Sequence, residues 1–254
     1  MARKPGKPVL VEDGAAAAAT SRQTHVNLFE LAYEKIEELI VTMTLRPGRF
    51  LSIHDLQTMS GFGRTPVHQA VTRLAGDTLI LVRPRHGLQI APIDLARERM
   101  LLKLRHDIER FVVRLAAERS GPSHRNQMLH MTRALRERRE TLNIGEFNKL
   151  DRRIDKLILA VAGEPFLESA LRPLHTIFRR IGWLHHDRIA GETSLLRTID
   201  CHLAVLDAVA NRHVERAVAA SDELIAFVDM MFDEMEVSID PSLLDCSVEP
   251  LLGA

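Results

Sequence analysis

A mainly α-helical chain, with a small winged helix-turn-helix ahead of a larger all-α antiparallel bundle, is the fold this sequence predicts. Three observations carry that prediction. Leu, Ala and Arg dominate while aromatics make up only 4% of the 254 residues, a composition that favours helices over sheets. Apolar residues recur at spacings of three and four from Asn27 to Thr44 and, with breaks, from Pro92 to about Val237, the period of amphipathic helices. Between these regions two short apolar runs, Leu79 to Val82 and Leu88 to Ala91, flank Arg83-Pro84-Arg85-His86-Gly87 and read as a small hairpin.

Residues 1–24 contain Pro5, Gly6, Pro8, Gly14 and an alanine run without sustained apolar period, and are expected to form a flexible arm. Residues 25–92 make the winged unit. Its first helix carries Leu28, Leu31, Ala32, Ile36, Leu39, Ile40 and Met43 and ends at Leu45-Arg46-Pro47-Gly48. A short helix over Ile53 to Met59, a turn at Gly61-Phe62-Gly63 and a third helix from about Pro66 to Gly76 precede the hairpin. Residues 93–237 read as about six long helices, broken at Ser120-Gly121-Pro122, Asn143 to Gly145, Gly163 to Pro165, Gly191 and Asn211. Residues 238–254 read as a tail.

Charge divides at the same boundary. The whole chain is neutral, with 34 Lys and Arg against 34 Asp and Glu, which excludes a global polycation or polyanion. Yet residues 44–92 carry six arginines and two acids, whereas residues 93–254 are mildly acidic. Any attraction to nucleic acid is therefore local to the winged unit. No run of 18 apolar residues predicts a membrane span. Two cysteines, Cys201 and Cys246, and an N-terminus without the order of a secretory signal point to a reducing, cytoplasmic location.

On a wheel of the third helix, Val67, Ala70, Val71 and Leu74 share one arc and face the core. The opposite side presents Thr65, His68, Gln69, Thr72 and Arg73, hydrogen-bonding groups suited to base edges in a major groove. Thr65 and Pro66 suit N-cap and N1, which leaves backbone N–H groups free for a phosphate. His54 on the preceding helix and Arg64 at the turn extend the face. Arg83, Arg85 and His86 cluster beside Gly87 at the hairpin tip, where a fold gains nothing from adjacent cations.

Leu45-Arg46-Pro47-Gly48-Arg49-Phe50-Leu51, Gly63-Arg64-Thr65-Pro66-Val67-His68-Gln69-Ala70 and Arg85-His86-Gly87 together resemble the GntR family of bacterial transcription regulators. The resemblance implies binding of a palindromic double-stranded DNA operator by a homodimer. It places Arg64 and residue 68 on bases and His86-Gly87 in the minor groove. Two positions depart from the family pattern: Gly63 stands where a serine is usual and His68 where an arginine is usual. Loss of a bidentate arginine–guanine pair removes about 1–3 kcal/mol of discrimination, so the operator sequence does not carry over.

The helical region is similar to the FadR-like branch and its FCD ligand-binding domain. The landmarks are Arg105 to Glu109, Leu150-Asp151 through Gly163-Glu164-Pro165-Phe166-Leu167, and His202 with Leu206-Asp207-Ala208-Val209; about six helices favour the shorter, VanR-like subgroup. The residues speak independently. Asp151 lies inside the apolar arc of Phe147, Leu150, Ile154, Leu157, Ile158, Val161 and Ala162, with Asp155 one turn on. Lys149, Arg152, Arg153 and Lys156 take the far side. His202 sits among Leu195, Ile199, Val205, Leu206 and Val209. A buried lone carboxylate is costly, so Asp151 requires a cation, a metal or donors.

In metal-binding FCD domains the corresponding ligands are an Asp and three His; here those positions hold Asp151, Asp155, His202 and Leu224. The resemblance thus implies a divalent ion (Mn²⁺, Mg²⁺, Zn²⁺ or Ni²⁺) on Asp151, Asp155 and His202. Two carboxylates and one imidazole favour the harder ions, with His175, His185 or His186 available as a further ligand. The competing reading makes His202 a core histidine bonded to Asp151, with Leu224 lining the same cavity. The resemblance also implies a small carboxylate effector, held by Arg105 with Asp151 and His202; a guanidinium suits a carboxylate, although Arg105 can instead pair with Glu109 at i+4. Two other functions compete with this effector-responsive repressor. His106-Asp107 and His186-Asp187 admit an HD-type metal-dependent phosphohydrolase, and an effector-blind DNA-binding protein would need only the winged unit. No phosphate loop, His-Glu-x-x-His or Gly-x-Ser-x-Gly motif favours an enzyme.

Overall fold

A computed structural model describes residues 27–248, so the expected arm over residues 1–24 lies outside the described residues. Helix α1 (Leu28–Val41) starts at Asn27, whose side chain accepts from the Phe29 N–H. Strand β1 (Phe50–Leu51), helix α2 (Ile53–Ser60), helix α3 (Arg64–Gly76) and strands β2 (Ile80–Arg83) and β3 (Gly87–Ile90) complete the winged unit. The capping box between Ser52 and Asp55 begins α2, each side chain satisfying a donor at the helix start. The apolar arc of α3 is buried, with Val67, Ala70 and Leu74 fully so, against α1.

The hairpin is present, and a third strand joins it: the sheet order is β1-β3-β2, antiparallel, with Phe50 opposite Gln89 and Val82 opposite Leu88. Two residues are too few to show a period of two, which is why β1 is invisible to patterning. Gly87 has φ +86°, and a Cβ there would approach the Leu51 carbonyl oxygen to 3.0 Å. Glycine is therefore required where the wing crosses β1. One boundary moves: α3 begins at Arg64, with Gly63 as N-cap and no side-chain cap, so Thr65 and Pro66 fall inside the first turn instead of at N-cap and N1. Proline fits there because first-turn N–H groups have no intrahelical partner.

Six long helices follow: α4 (Leu95–Arg119), α5 (Pro122–Arg138), α6 (Ile144–Ala162), α7 (Pro165–His185), α8 (Gly191–Ala210) and α9 (Val214–Ser238). The expected break near Gly191 is a π-helical turn over His186–Ala190. The bundle core gathers all six helices, α4 to α9, while Ile177 of α7 joins the core of the winged unit. The two units are thus packed together through α7. The tail expected over 238–254 is also structured in its described part. Helix α10 (Pro241–Leu244) leads back to the winged unit, where Ile93 N–H donates to the Leu244 carbonyl (2.8 Å) and Cys246 N–H to the Pro47 carbonyl (2.9 Å). Among the described residues no helix is long and apolar enough to cross a membrane.

Candidate functional site

On the winged unit, His54, Arg64, Thr65, His68, Gln69 and Thr72 are exposed and Pro66 is half-buried. Together they form one polar face over the first turns of α3, where the helix dipole is positive. Arg73 leaves this face. It is bonded to Glu30 at 2.7 Å and stacks over the Tyr33 ring, with 4.4 Å from guanidinium to ring centroid. That corrects its place among the DNA-facing residues, because a cation paired and stacked against α1 is already committed to packing. At the wing, Arg83, Arg85, His86 and Gly87 are exposed. Arg83 donates to Gln89 Oε1 (2.9 Å), Arg85 turns the chain with φ +66°, and His86 lies edge-on to Phe50, 6.3 Å between centroids. Phe50, 51% exposed, belongs to this face and carried no polar signal in the sequence.

In the bundle, Asp151 of α6 and His202 of α8 meet: Asp151 Oδ1 is 2.8 Å from His202 Nε2, and both residues are buried. His202 Nδ1 donates to the Thr198 carbonyl (2.8 Å), which turns Nε2 toward the carboxylate. Burial opposes charge on both, yet their mutual attraction prevails, lowering the Asp151 carboxyl and raising the His202 imidazole from their ordinary values. Both shifts favour the ionised form of the pair. Asp155 is the opposite case: burial, then the charge of Asp151, raises its carboxyl against the pull of His175. Asp155 lies 3.3 Å from His175 Nδ1 and 3.6 Å from Arg179 Nη1.

Arg105 is buried and takes part in both arrangements the sequence left open. It bonds Glu109 (Nε to Oε1, 3.1 Å), stacks over Phe178, and lines the cavity that Asp151 and His202 share. Glu109 also accepts from His175 (2.7 Å). Burial raises its carboxyl, but Arg105 and His175 together hold it down to about 2. Asp155 and Leu224 line the same cavity, whose volume is about 50 Å³, room for water and little more.

The donor set does not fit the metal arrangement that the sequence suggested. Asp151 and His202 are closed on each other, Asp155 faces His175 and Arg179, and Leu224 offers no donor atom. Among the described residues no group of three or more His, Cys, Asp or Glu side chains is arranged to hold a metal ion. His185 turns to Glu234 (2.7 Å) and His186 to Thr198 (3.1 Å), so neither completes a set. Two guanidinium groups, Arg105 and Arg179, stand beside the carboxylates.

Sequence reasoning missed Arg179 and Glu37. Glu37 of α1 is 2% exposed and is held by Arg179 Nη2 (2.9 Å), Arg152 Nη2 (2.6 Å) and the Thr176 hydroxyl. Arg152, expected on a solvated face of α6, is therefore turned onto the winged unit. The available signal was Arg179-Arg180 standing within the apolar run Ile177-Phe178 and Ile181, since charges at such positions need buried partners.

Comparison with known proteins gives matches over both units. The model of the GntR family of bacterial regulatory proteins matches residues 28–90, and that of the FCD domain matches residues 100–227. The HTH-type transcriptional repressor RspR of Escherichia coli strain K12 is 28% identical over 192 residues, covering 73% of this chain and 82% of that protein. An HTH-type regulator in an unstable DNA locus of Streptomyces ambofaciens is 27% identical over 131 residues, 52% of this chain and 55% of that one. Among solved structures, E. coli McbR/YncC superposes with a TM-score of 0.71 at 18% identity, covering 83% of this chain and 99% of that one. A GntR regulator from Rhodococcus sp. RHA1 gives 0.60 at 16% identity, covering 80% and 96%. At these identities the two structures speak for the fold.

Proposed function

The chain belongs to the GntR family of bacterial transcription regulators, with an FCD domain as its helical half, and from that premise we propose that it is a homodimeric repressor controlled by a small carboxylate effector. Members of this family are DNA-binding regulators and not enzymes, and the phosphohydrolase reading has no support from the relatives. The exposed face of α3 enters the major groove with Arg64 at its leading end, and the wing tip at His86 and Gly87 follows the minor groove. Two copies of the face read the two halves of a palindrome. The repressor assignment is supported by the name of the RspR relative. The dimer is supported by Met100, Leu104 and Phe111, which form an exposed apolar line on α4, 60%, 50% and 52% accessible; a line of this kind on a helix face marks an interaction surface.

The single observation that carries effector control is the buried cluster of Arg105, Asp151 and His202 around one polar space inside the apolar bundle of α4 and α6 to α9, a space that must widen beyond its water-sized volume to admit a carboxylate. Buried ionic groups of this number are expensive unless they serve a site. The cations of the site are its own side chains, so effector recognition proceeds without a divalent ion. A duplex selected from a random pool by the full chain provides the test. Footprinting should reveal a palindrome, a thermal-shift screen of carboxylates should find one that weakens the footprint, and elemental analysis of the purified protein should find no stoichiometric metal. A non-palindromic footprint insensitive to every carboxylate would favour the effector-blind alternative.

A further inference from the structure

The buried cavity has room for water, yet a much larger space lies outside it. Between α1 and the first half of α6 runs a cleft of about 460 Å³, within the size range of metabolite sites. Six of its lining side chains are cationic, among them Lys149, Arg153 and Arg179, against two carboxylates, Glu34 and Glu38. Exposed lysines at a rim are common and decide nothing; the floor of the cleft does. Arg179 and Asn148 line both the cleft and the Asp151–His202 cavity. Arg179 is 8% exposed. Its Nε and Nη1 are buried without a hydrogen-bond partner, and so is Asn148 Nδ2. Nη1 has the Asp155 carboxylate 3.6 Å away, beyond hydrogen-bond reach, while Nε and Asn148 Nδ2 have no partner, and buried donors without a hydrogen bond are rare enough to require an explanation.

We propose that the junction of this interdomain cleft with the bundle cavity binds a small anion, whose carboxylate or phosphate oxygens are received by Arg179 and Asn148. The anion satisfies Arg179 Nε and Asn148 Nδ2 and shares Nη1 with Asp155, and Lys149 and Arg153 attract it at the mouth. The same guanidinium holds the winged unit: Arg179 Nη2 donates to Glu37 of α1 at 2.9 Å. An anion at Arg179 therefore shares this cation with Glu37 and weakens a contact that joins the DNA-binding unit to the bundle. Linkage makes the effect mutual, so loosening Glu37 must strengthen anion binding by the same factor. Use of this site by the effector rests on the regulator reading above; the anion site itself stands on the geometry.

The experiment titrates the full chain with succinate and, separately, with inorganic phosphate, at constant ionic strength against chloride. Trp183, the chain's one tryptophan, lies one turn beyond Arg179 on α7 and reports binding by fluorescence. Saturable binding of at least one anion is expected, and the preferred one identifies the oxyanion class. Asn148→Ala and Arg179→Gln should weaken it roughly tenfold or more, the worth of a charge-assisted hydrogen bond. Glu37→Gln should tighten it about fivefold or more, the scale of coupled sites. Should Arg179→Gln fail to fold with Glu37 left short of a partner, Asn148→Ala and Glu37→Gln decide the question, since Asn148 gives up no bond through Nδ2. Absence of saturation by both anions in the wild type and in Glu37→Gln, or binding indifferent to these substitutions, would overturn the site. Operator binding by the same preparations separates the two readings. Its loss in the wild type counts against the regulator reading, whereas intact operator binding without any anion effect counts against this site alone.

Discussion

Arg64 and Glu98 show how single residues divide between function and stability. Arg64 is exposed at the first turn of α3, so it supplies little to the core. Arg64→Ala should abolish specific operator binding with an unchanged melting temperature, read by gel shift and circular dichroism. His86→Ala should cost less, because minor-groove readout is degenerate; a loss equal to that of Arg64→Ala would reverse their ranking. Glu98, on the inner face of α4, is 2% exposed, and burial pushes its carboxyl up to about 7 despite the partial help of Arg180. The native state then holds this proton more tightly than the unfolded chain, whose glutamates titrate near 4.5. Stability is full below that value and falls as pH rises through about 7, by about 3 kcal/mol. Glu98→Gln removes the ionisation, so the variant should be more stable than the wild type at pH 8 and nearly equal to it at pH 4, as judged by urea unfolding at both.

At the scale of elements, α6 and α8 are joined by the Asp151–His202 ion pair inside an apolar bundle. Removing one member leaves the other charge buried and alone, which costs about 3–5 kcal/mol. His202→Ala should therefore lower the denaturant midpoint strongly, and an unchanged midpoint would show that the pair is not closed in solution. The α10 segment makes a different contribution. Backbone bonds of Leu244 and Cys246 to Ile93 and Pro47 link this segment to the winged unit across the domain boundary. Truncation after Asp240 should leave both units folded while speeding proteolysis at residues 91–94; equal cleavage rates would assign the segment no such role.

For the molecule as a whole, the line of Met100, Leu104 and Phe111 on α4 is the surface on which a second copy is expected. Leu104→Glu with Phe111→Glu should yield monomers in sedimentation at concentrations where the wild type is dimeric. Operator affinity should fall with the change, because each half-site would then be bound separately. Leu104 and Phe111 are exposed in the single chain, so the unfolded fraction should not rise. Retention of the dimer would move the interface to another surface.

Much of this architecture was legible along the chain, for a physical reason: helix and hairpin periods are local. The core arc of α3, the six long helices, and the inward placement of Asp151 and His202 follow from spacings of three and four, which hold whatever the partner element is. Their pairing at 2.8 Å was also anticipated, because two buried polar groups on separate apolar faces are costly until they meet. What the tertiary structure alone decided depends on contacts between residues distant in sequence. A two-residue strand such as β1 has no period to detect. Arg73 left the DNA face because Glu30 and Tyr33 lie beside it. Arg152 and Arg179 closed on Glu37, some 115 to 142 positions earlier in the chain, and a wheel drawn for one helix holds no information about a neighbour of that kind. The same holds for the ligand-type residues at family positions, whose spacing does not specify that Asp151 turns to His202 and Asp155 to His175 and Arg179.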